Sequence, residues 1–170
     1  MKRKIFEIVL FSSLGVIMVV SDLLMDKLPN IHILGALIMA YTIVYRVKAL
    51  IPIYVYAFLT LIISGFAFWS IPYFYIWTVL WGMTMLLPKN MPQKISVPVY
   101  MVVCALHGFL FGTLYAPSQA LLFGLNFNGM VAWIIAGIPA DIIHGVSNLL
   151  MGTLIIPLAI PMRKVSNIMK

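Results

Sequence analysis

The stretch Trp133–Pro161 reads WIIAGIPADIIHGVSNLLMGTLIIPLAIP and decides the fold, because it is long and apolar yet carries three polar side chains. At about 100° per residue, Trp133, Asp141, His144 and Asn148 fall within an arc of roughly 80° on one helix face. An isolated carboxylate at bilayer depth costs at least ~2.5 kcal/mol, so this face is predicted to meet a protein interior or a cavity. The pattern is compatible with a ligand cavity and with polar contacts between neighbouring membrane helices.

The composition indicates the class of protein. Hydrophobic residues make up 64% of the chain and charged residues 9%, which excludes an ordinary soluble domain. The 170 residues are expected to form a single membrane domain spanning 1–170. The one cysteine excludes an intramolecular disulfide, and no zinc-type spacing is present, so neither a metal site nor a cofactor is predicted.

The apolar runs predict an all-α integral membrane bundle of six transmembrane helices. A membrane helix needs roughly 20 apolar residues, and the second predicted span is short by that measure. The first span is expected to be retained, since no small-x-small cleavage site follows Val20. The predicted spans are approximately 5–24, 31–45, 49–68, 71–87, 97–123 and 131–160.

The basic residues predict the orientation of this bundle. Six spans place every basic residue except Lys27 on one side, and the positive-inside rule makes that side cytoplasmic, together with both termini. The net charge of +7 is therefore assigned to the membrane surface, and no nucleic-acid partner is predicted. The residues on that side are Lys2, Arg3, Lys4, Arg46, Lys48, Lys89, Lys94, Arg163, Lys164 and Lys170.

Polar and aromatic residues toward the other side predict a substrate-binding pocket that opens outward. The aromatic turn at 66–77 is typical either of a membrane-interface belt or of stacking walls around a ligand. His107 lies near mid-depth and could pair with Asp141. Aromatic walls and acidic groups favour a ring-containing solute with hydrogen-bond donors or positive charge. The candidate substrate-binding residues are Asp141, Asn148, His144, Trp133, His107, Trp69, Tyr73, Tyr75, Asp22 and Asn30, with no catalytic residue among them.

Several segments resemble the substrate-binding S components of energy-coupling factor (ECF) transporters. The similarity rests on the size, the six spans, YRVKALIP at 45–52, and GIPADIIH at 137–144 followed by Asn148 and Pro157. The resemblance implies a multi-pass subunit of the bacterial cell membrane that captures a vitamin or related small micronutrient. It also implies two kinds of partner, a transmembrane coupling subunit and two cytoplasmic ATPase subunits.

The chain departs from the family pattern in places. The Ala-x-x-x-Ala pattern of the first helix is replaced by FSSLGV at 11–16, so the residues that dock the coupling subunit are not assigned. Nickel and cobalt members begin with Met-His, whereas this chain begins with Met-Lys, which argues against a metal substrate. The resemblance leaves the identity of the solute open.

No enzyme is predicted, because neither a P-loop nor a Gly-x-Ser-x-Gly elbow occurs in the chain. ATP hydrolysis would then come from partner subunits. Two other classes remain open at this stage. One is a small structural membrane protein that scaffolds other membrane proteins, and the other is a stand-alone proton-coupled carrier that uses Asp141 and His144 as a relay.

Overall fold

A computed structural model describes residues 2–168 of the chain and the side chains of residues 3–167. Lys170, which the sequence assigns to the basic side, lies outside the described residues. The described residues contain eight α-helices, three short 3-10 turns and no strand. The helices are α1 Lys2–Met25, α2 Leu34–Tyr45, α3 Leu50–Ile63, α4 Tyr73–Met85, α5 Gln93–Phe109, α6 Phe111–Phe123, α7 Phe127–Met151 and α8 Ile155–Ile168.

Four helical segments of the described chain are long and apolar enough to cross a membrane, namely Arg3–Met25, Leu34–Ile63, Gln93–Phe123 and Phe127–Asn167. The all-helical, membrane-compatible class predicted from the composition is therefore confirmed. The second segment combines α2 and α3, which the sequence predicted as separate spans. Helix α4 has 13 residues, which is short for a span on its own.

The two longest predicted spans are each divided into two helices. The span predicted at 97–123 is interrupted at Leu110, between α5 and α6. The span predicted at 131–160 consists of α7, the 3-10 turn Gly152–Leu154 and α8. At that turn an added Cβ on Gly152 would lie 2.8 Å from Met101 Cα, so the chain passes close to α5 where its helix geometry changes.

Helices α2 and α3 are separated by a turn at Arg46, whose φ of 53° and ψ of −120° no α-helix allows. The turn is fixed by side-chain bonds to α4. Arg46 Nη2 donates to the Met85 carbonyl at 3.0 Å, and Trp81 Nε1 donates to the Arg46 carbonyl at 3.1 Å. These bonds hold the α2–α3 turn against the last two turns of α4.

One end of the bundle brings together basic segments that are distant in sequence, and we name it the basic end. Lys48 Nζ lies 2.8 Å from Glu7 Oε2 near the start of α1, and the Tyr45 hydroxyl donates to the Met162 carbonyl of α8 at 3.3 Å. At the opposite end of α1 the Tyr56 hydroxyl donates to Asp22 Oδ2 at 2.8 Å. Helices α1 and α3 therefore run in the same direction.

Helix α2 is the centre of the bundle. All of its residues from Leu34 to Thr42 are buried, as is Tyr45, and a helix that is apolar all round is stable only when its neighbours cover it. Helix α1 instead leaves large apolar side chains on the outside, including Ile8 at 67% and Leu24 at 78% exposure. This contrast is typical of a bundle whose outer helices face lipid.

Candidate functional site

A cavity of about 200 Å³ opens at the end of the bundle opposite the basic end. It lies between the end of α1, the loop that follows it, and the facing parts of α4, α6 and α7. Small-molecule sites commonly combine apolar walls with a few convergent polar groups, and this cavity has both. Its polar and aromatic lining residues are Asp22, Asp26, Asn30, His32, Tyr73, Trp77, Phe111 and His144.

Two histidines and a phenylalanine form one side of the cavity. The His144 ring centroid lies 4.4 Å from that of His32, edge to face at 86°, and 4.5 Å from that of Phe111. His144 is 2% exposed, and its Nε2 has no hydrogen-bond partner in the described part of the chain. His32 Nδ1 is also buried without a partner there. Both imidazoles thus retain hydrogen-bonding capacity next to the cavity.

His32 lies in the connection between α1 and α2, outside the apolar helical segments. Burial lowers the pKa of His32 from its ordinary value of 6.5 to about 4, and the nearby His107 adds to the shift. The ring is therefore neutral near pH 7. A neutral imidazole offers one donor and one acceptor nitrogen.

An aromatic wall of the cavity adjoins these rings and starts from Trp77, which is 1% exposed. Its ring centroid lies 5.8 Å from that of Tyr73 and 5.9 Å from that of His32. Tyr56 stacks on Tyr73 at 6.2 Å and 15°. Since Tyr73 and Trp77 are four residues apart on α4, they share one helix face and form a continuous wall.

The mouth of the cavity carries two carboxylates and an amide. Asp22 is held in place by the hydroxyl of Tyr56 at 2.8 Å, whereas Asp26 lies in the exposed loop that follows α1. Asn30 has a φ of 61°, a left-handed conformation that asparagine tolerates better than most residues. Neither carboxylate takes part in a salt bridge among residues 3–167.

Four of the residues predicted to bind substrate line this cavity: Asp22, Asn30, Tyr73 and His144. They come from three helices and one loop, so the fold brings together residues that are far apart in the chain. Their contact with a solute remains a prediction. The arrangement supports it by giving them a common cavity.

Asp141 and Asn148 lie in contacts between helices. Asp141 Oδ1 accepts a hydrogen bond of 2.9 Å from the Gly112 N–H, and Asn148 Nδ2 donates to the Cys104 carbonyl at 3.2 Å. Neither residue lines the cavity. This geometry favours the second reading of the α7 pattern, polar contact between neighbouring helices, for these two residues.

The pairing of His107 with Asp141 that the sequence suggested does not form. His107 Nε2 lies 3.1 Å from the Ile76 carbonyl, and its ring packs 5.6 Å from that of Trp77. His107 is fully buried and packs on Trp77, so it supports the aromatic wall of the cavity without lining the cavity itself.

The remaining aromatic candidates lie near the same end of the bundle without lining the cavity. Trp133 stacks on Tyr115 with centroids 5.7 Å apart and planes at 12°. The Tyr115 hydroxyl donates to the Trp69 carbonyl, and the Tyr75 hydroxyl donates to the Leu114 carbonyl at 2.7 Å. These contacts join the aromatic turn to α6 and α7.

Four of the polar and aromatic lining residues were absent from the predicted site: Asp26, His32, Trp77 and Phe111. A signal was available for two of them. Trp77 follows Tyr73 by four residues, which places both on one helix face, and His32 lies two residues after Asn30. Phe111 is the first residue of α6, directly after the break at Leu110, and the apolar sequence does not reveal that break.

No family model, curated protein or solved structure matches the chain. Among the described residues, no group of three or more His, Cys, Asp and Glu side chains is placed to hold a metal ion. The geometry and charge of the cavity are therefore the features that bear on function.

Proposed function

We propose that this protein is a substrate-binding membrane subunit that captures a small solute from outside the cell, in the manner of an ECF-transporter S component. The observation that carries the proposal is the cavity of about 200 Å³ at the end opposite the basic end. Its buried histidines, carboxylates and aromatic wall are the features expected of a small-molecule site.

The proposed topology has six passes, with the basic end and both termini in the cytoplasm of a bacterial cell. Two bonds across the bundle support the pairing of α5 and α6 into one pass antiparallel to α7. Asn148 donates to the Cys104 carbonyl, and the Gly112 N–H donates to Asp141. As the residue number increases along α5 and α6, the number of the contacting residue in α7 decreases, so the two segments run in opposite directions. The positive-inside rule then orients the cavity outward.

The size of the cavity limits the solute. The cavity of about 200 Å³ is smaller than the roughly 300–1,000 Å³ that is typical of sites for drug-sized ligands. This favours a solute with a single ring, or one part of a larger vitamin-like molecule. The chain has no nucleotide-binding motif, so import would depend on the coupling subunit and the two ATPases.

The proposal is tested by native mass spectrometry of the full chain, purified in mild detergent from cells grown in rich medium. A bound small molecule is expected on the wild-type protein. His144→Leu, which removes the buried polar ring from the cavity, should reduce its occupancy at least tenfold. Gly137→Ala serves as the control, because a Cβ at that position meets nothing within 4 Å.

Two results would contradict the proposal. One is a wild-type protein that carries no solute and binds none from an extract of the growth medium. The other is equal solute retention by His144→Leu and Gly137→Ala, which would place any bound molecule elsewhere on the protein.

A further inference from the structure

The acidic residues of this basic chain are distributed unevenly. Two of the four, Asp22 and Asp26, line the cavity, and no lysine or arginine lines it. The other two lie elsewhere, Glu7 in a salt bridge with Lys48 at 2.8 Å and Asp141 in a hydrogen bond of 2.9 Å from the Gly112 N–H. In a chain of net charge +7, the cavity is therefore a local acidic site.

A second observation points to a ligand at the same place. His144 lines the cavity and is 2% exposed, yet its Nε2 lacks a partner in the described part of the chain. Buried polar atoms nearly always have hydrogen-bond partners, so the cavity is built to receive polar atoms from outside the chain.

The two carboxylates differ in how they are held. Asp22 is partly buried and its Oδ2 is fixed by the Tyr56 hydroxyl at 2.8 Å, while Asp26 is exposed on the loop. A positioned, partly desolvated carboxylate forms a stronger charge-assisted bond than a fully exposed one. The aromatic faces of Tyr73 and Trp77 next to Asp22 also favour a cation.

From these observations we infer that the cavity binds a small ring-bearing organic cation, an amidinium or a protonated amine on a planar ring. The cationic nitrogen lies at Asp22, and the ring lies beside Trp77 and His144. The inference rests on the proposed function, because it takes this cavity as the substrate site. It narrows that proposal to a class of solute.

The test uses three probes of nearly equal shape and different charge: benzamidine, which is cationic at pH 7.5, neutral benzamide and anionic benzoate. Binding is measured by titration calorimetry on the full chain in detergent, freed of solute by exhaustive dialysis. Benzamidine is expected to bind at least tenfold more tightly than benzamide, and benzoate more weakly than both. Equal binding of the three, a preference for benzoate or no binding of benzamidine would overturn the inference.

Three variants locate the cation. Asp22→Asn should weaken benzamidine binding roughly ten- to a hundredfold and leave benzamide within about threefold, as expected for loss of one charge-assisted bond. Asp26→Asn should change benzamidine binding less than threefold. Tyr56→Phe keeps the Asp22 carboxylate but removes the hydroxyl that positions it. Its effect on benzamidine binding should lie between those of Asp22→Asn and Asp26→Asn. If Asp22→Asn does not fold, the relative affinities of the three probes for the wild-type protein still test the inference.

The mass of the solute retained by the protein distinguishes a failure of the cation inference from a failure of the binding-subunit proposal. A retained solute without a cationic nitrogen would overturn the assignment of charge and leave the binding-subunit proposal intact. Selective binding of benzamidine to a chain that retains no solute and supports no uptake would contradict the binding-subunit proposal and leave the cation site standing.

Discussion

The carboxylate of Asp141 on α7 caps the first turn of α6, accepting a hydrogen bond of 2.9 Å from the Gly112 N–H. The first N–H groups of a helix have no partner within it, and negative charge is favourable at this end. Since α6 begins at Phe111, directly after the break at Leu110, the cap comes from another helix. Asp141 thereby joins α7 to the interrupted α5–α6 pass.

The cap predicts which substitutions of Asp141 are harmful. Asp141→Ala leaves the buried Gly112 N–H without an acceptor and should lower the free energy of unfolding by about 1–3 kcal/mol. Asp141→Asn keeps an acceptor oxygen and should cost less. Thermal melting in detergent measures both, and solute affinity should stay unchanged in each. An Asp141→Asn protein with normal melting and weakened affinity would instead place this carboxylate in the binding site.

The close approach of α5 and α7 depends on glycine, and this predicts a second effect on stability. A Cβ on Gly108 would lie 2.8 Å from Gly145 Cα and 2.8 Å from the His144 carbonyl oxygen. Both are backbone atoms, so the helices would have to separate, at a cost of about 1–3 kcal/mol. Gly108→Ala should therefore melt at a lower temperature, and solute binding should weaken because His144 moves.

Gly137→Ala is the matched control for this prediction, since it adds the same atom to α7 where nothing lies within 4 Å. It should melt at or slightly above the wild-type temperature, because alanine has the higher helix propensity. Equal effects of the two substitutions would contradict the packing argument.

The all-helical fold class can be predicted from the sequence, because long apolar runs favour membrane-compatible helices. The turn between the second and third predicted spans also lies where the sequence placed it, at Arg46. The breaks at Leu110 and at Gly152–Leu154 were not predictable, since apolar residues continue through both. They are set by contacts with other helices, such as the Asp141 cap and the approach of Gly152 to Met101.

The candidate site was harder to predict for a physical reason. Trp133 and Asn148 share one face of α7, but fifteen residues separate them, which is about 22 Å along the helix. Over that length the face meets Tyr115, Gly112 and Cys104 in turn, and of the polar residues on it His144 alone lines the cavity. Helical periodicity predicts the helix face on which a residue lies. Its depth in the bundle and its contact partner are determined by the tertiary structure.

His32 predicts a dependence of stability on pH. Its pKa is lowered to about 4 by burial, against roughly 6.5 for an unfolded chain, so between these values the unfolded state binds more protons. The contribution of neutral His32 to the free energy of unfolding is fully present above about pH 6.5 and should be lost as the pH decreases toward 4. His32→Gln removes the titrating group and should flatten this part of the profile. Melting temperatures from pH 4 to 8 provide the measurement, and parallel profiles for the two proteins would contradict the prediction.

The proposed topology predicts which residues can be labelled from outside the cell. The native cysteine, Cys104, is fully buried, so a new surface cysteine gives the signal in intact cells. Asn128→Cys, in the exposed first turn of α7, should react with a membrane-impermeant maleimide before lysis. Lys89→Cys, exposed between α4 and α5, should react only after lysis. The reverse pattern would invert the orientation, and labelling of both in intact cells would contradict the six-pass arrangement.

The proposed dependence on partner subunits predicts a separation of binding from transport. The chain has no nucleotide-binding motif, so alone in energised membrane vesicles it should retain its solute at close to one molecule per chain without accumulating it. Accumulation above that level should require co-expressed coupling and ATPase subunits, and should stop when ATP is removed. An otherwise identical vesicle preparation with His144→Leu should neither bind nor accumulate the solute. Accumulation by the chain alone that an uncoupler abolishes would identify a proton-coupled carrier instead, since a binding subunit without an energy source cannot move its solute against a gradient.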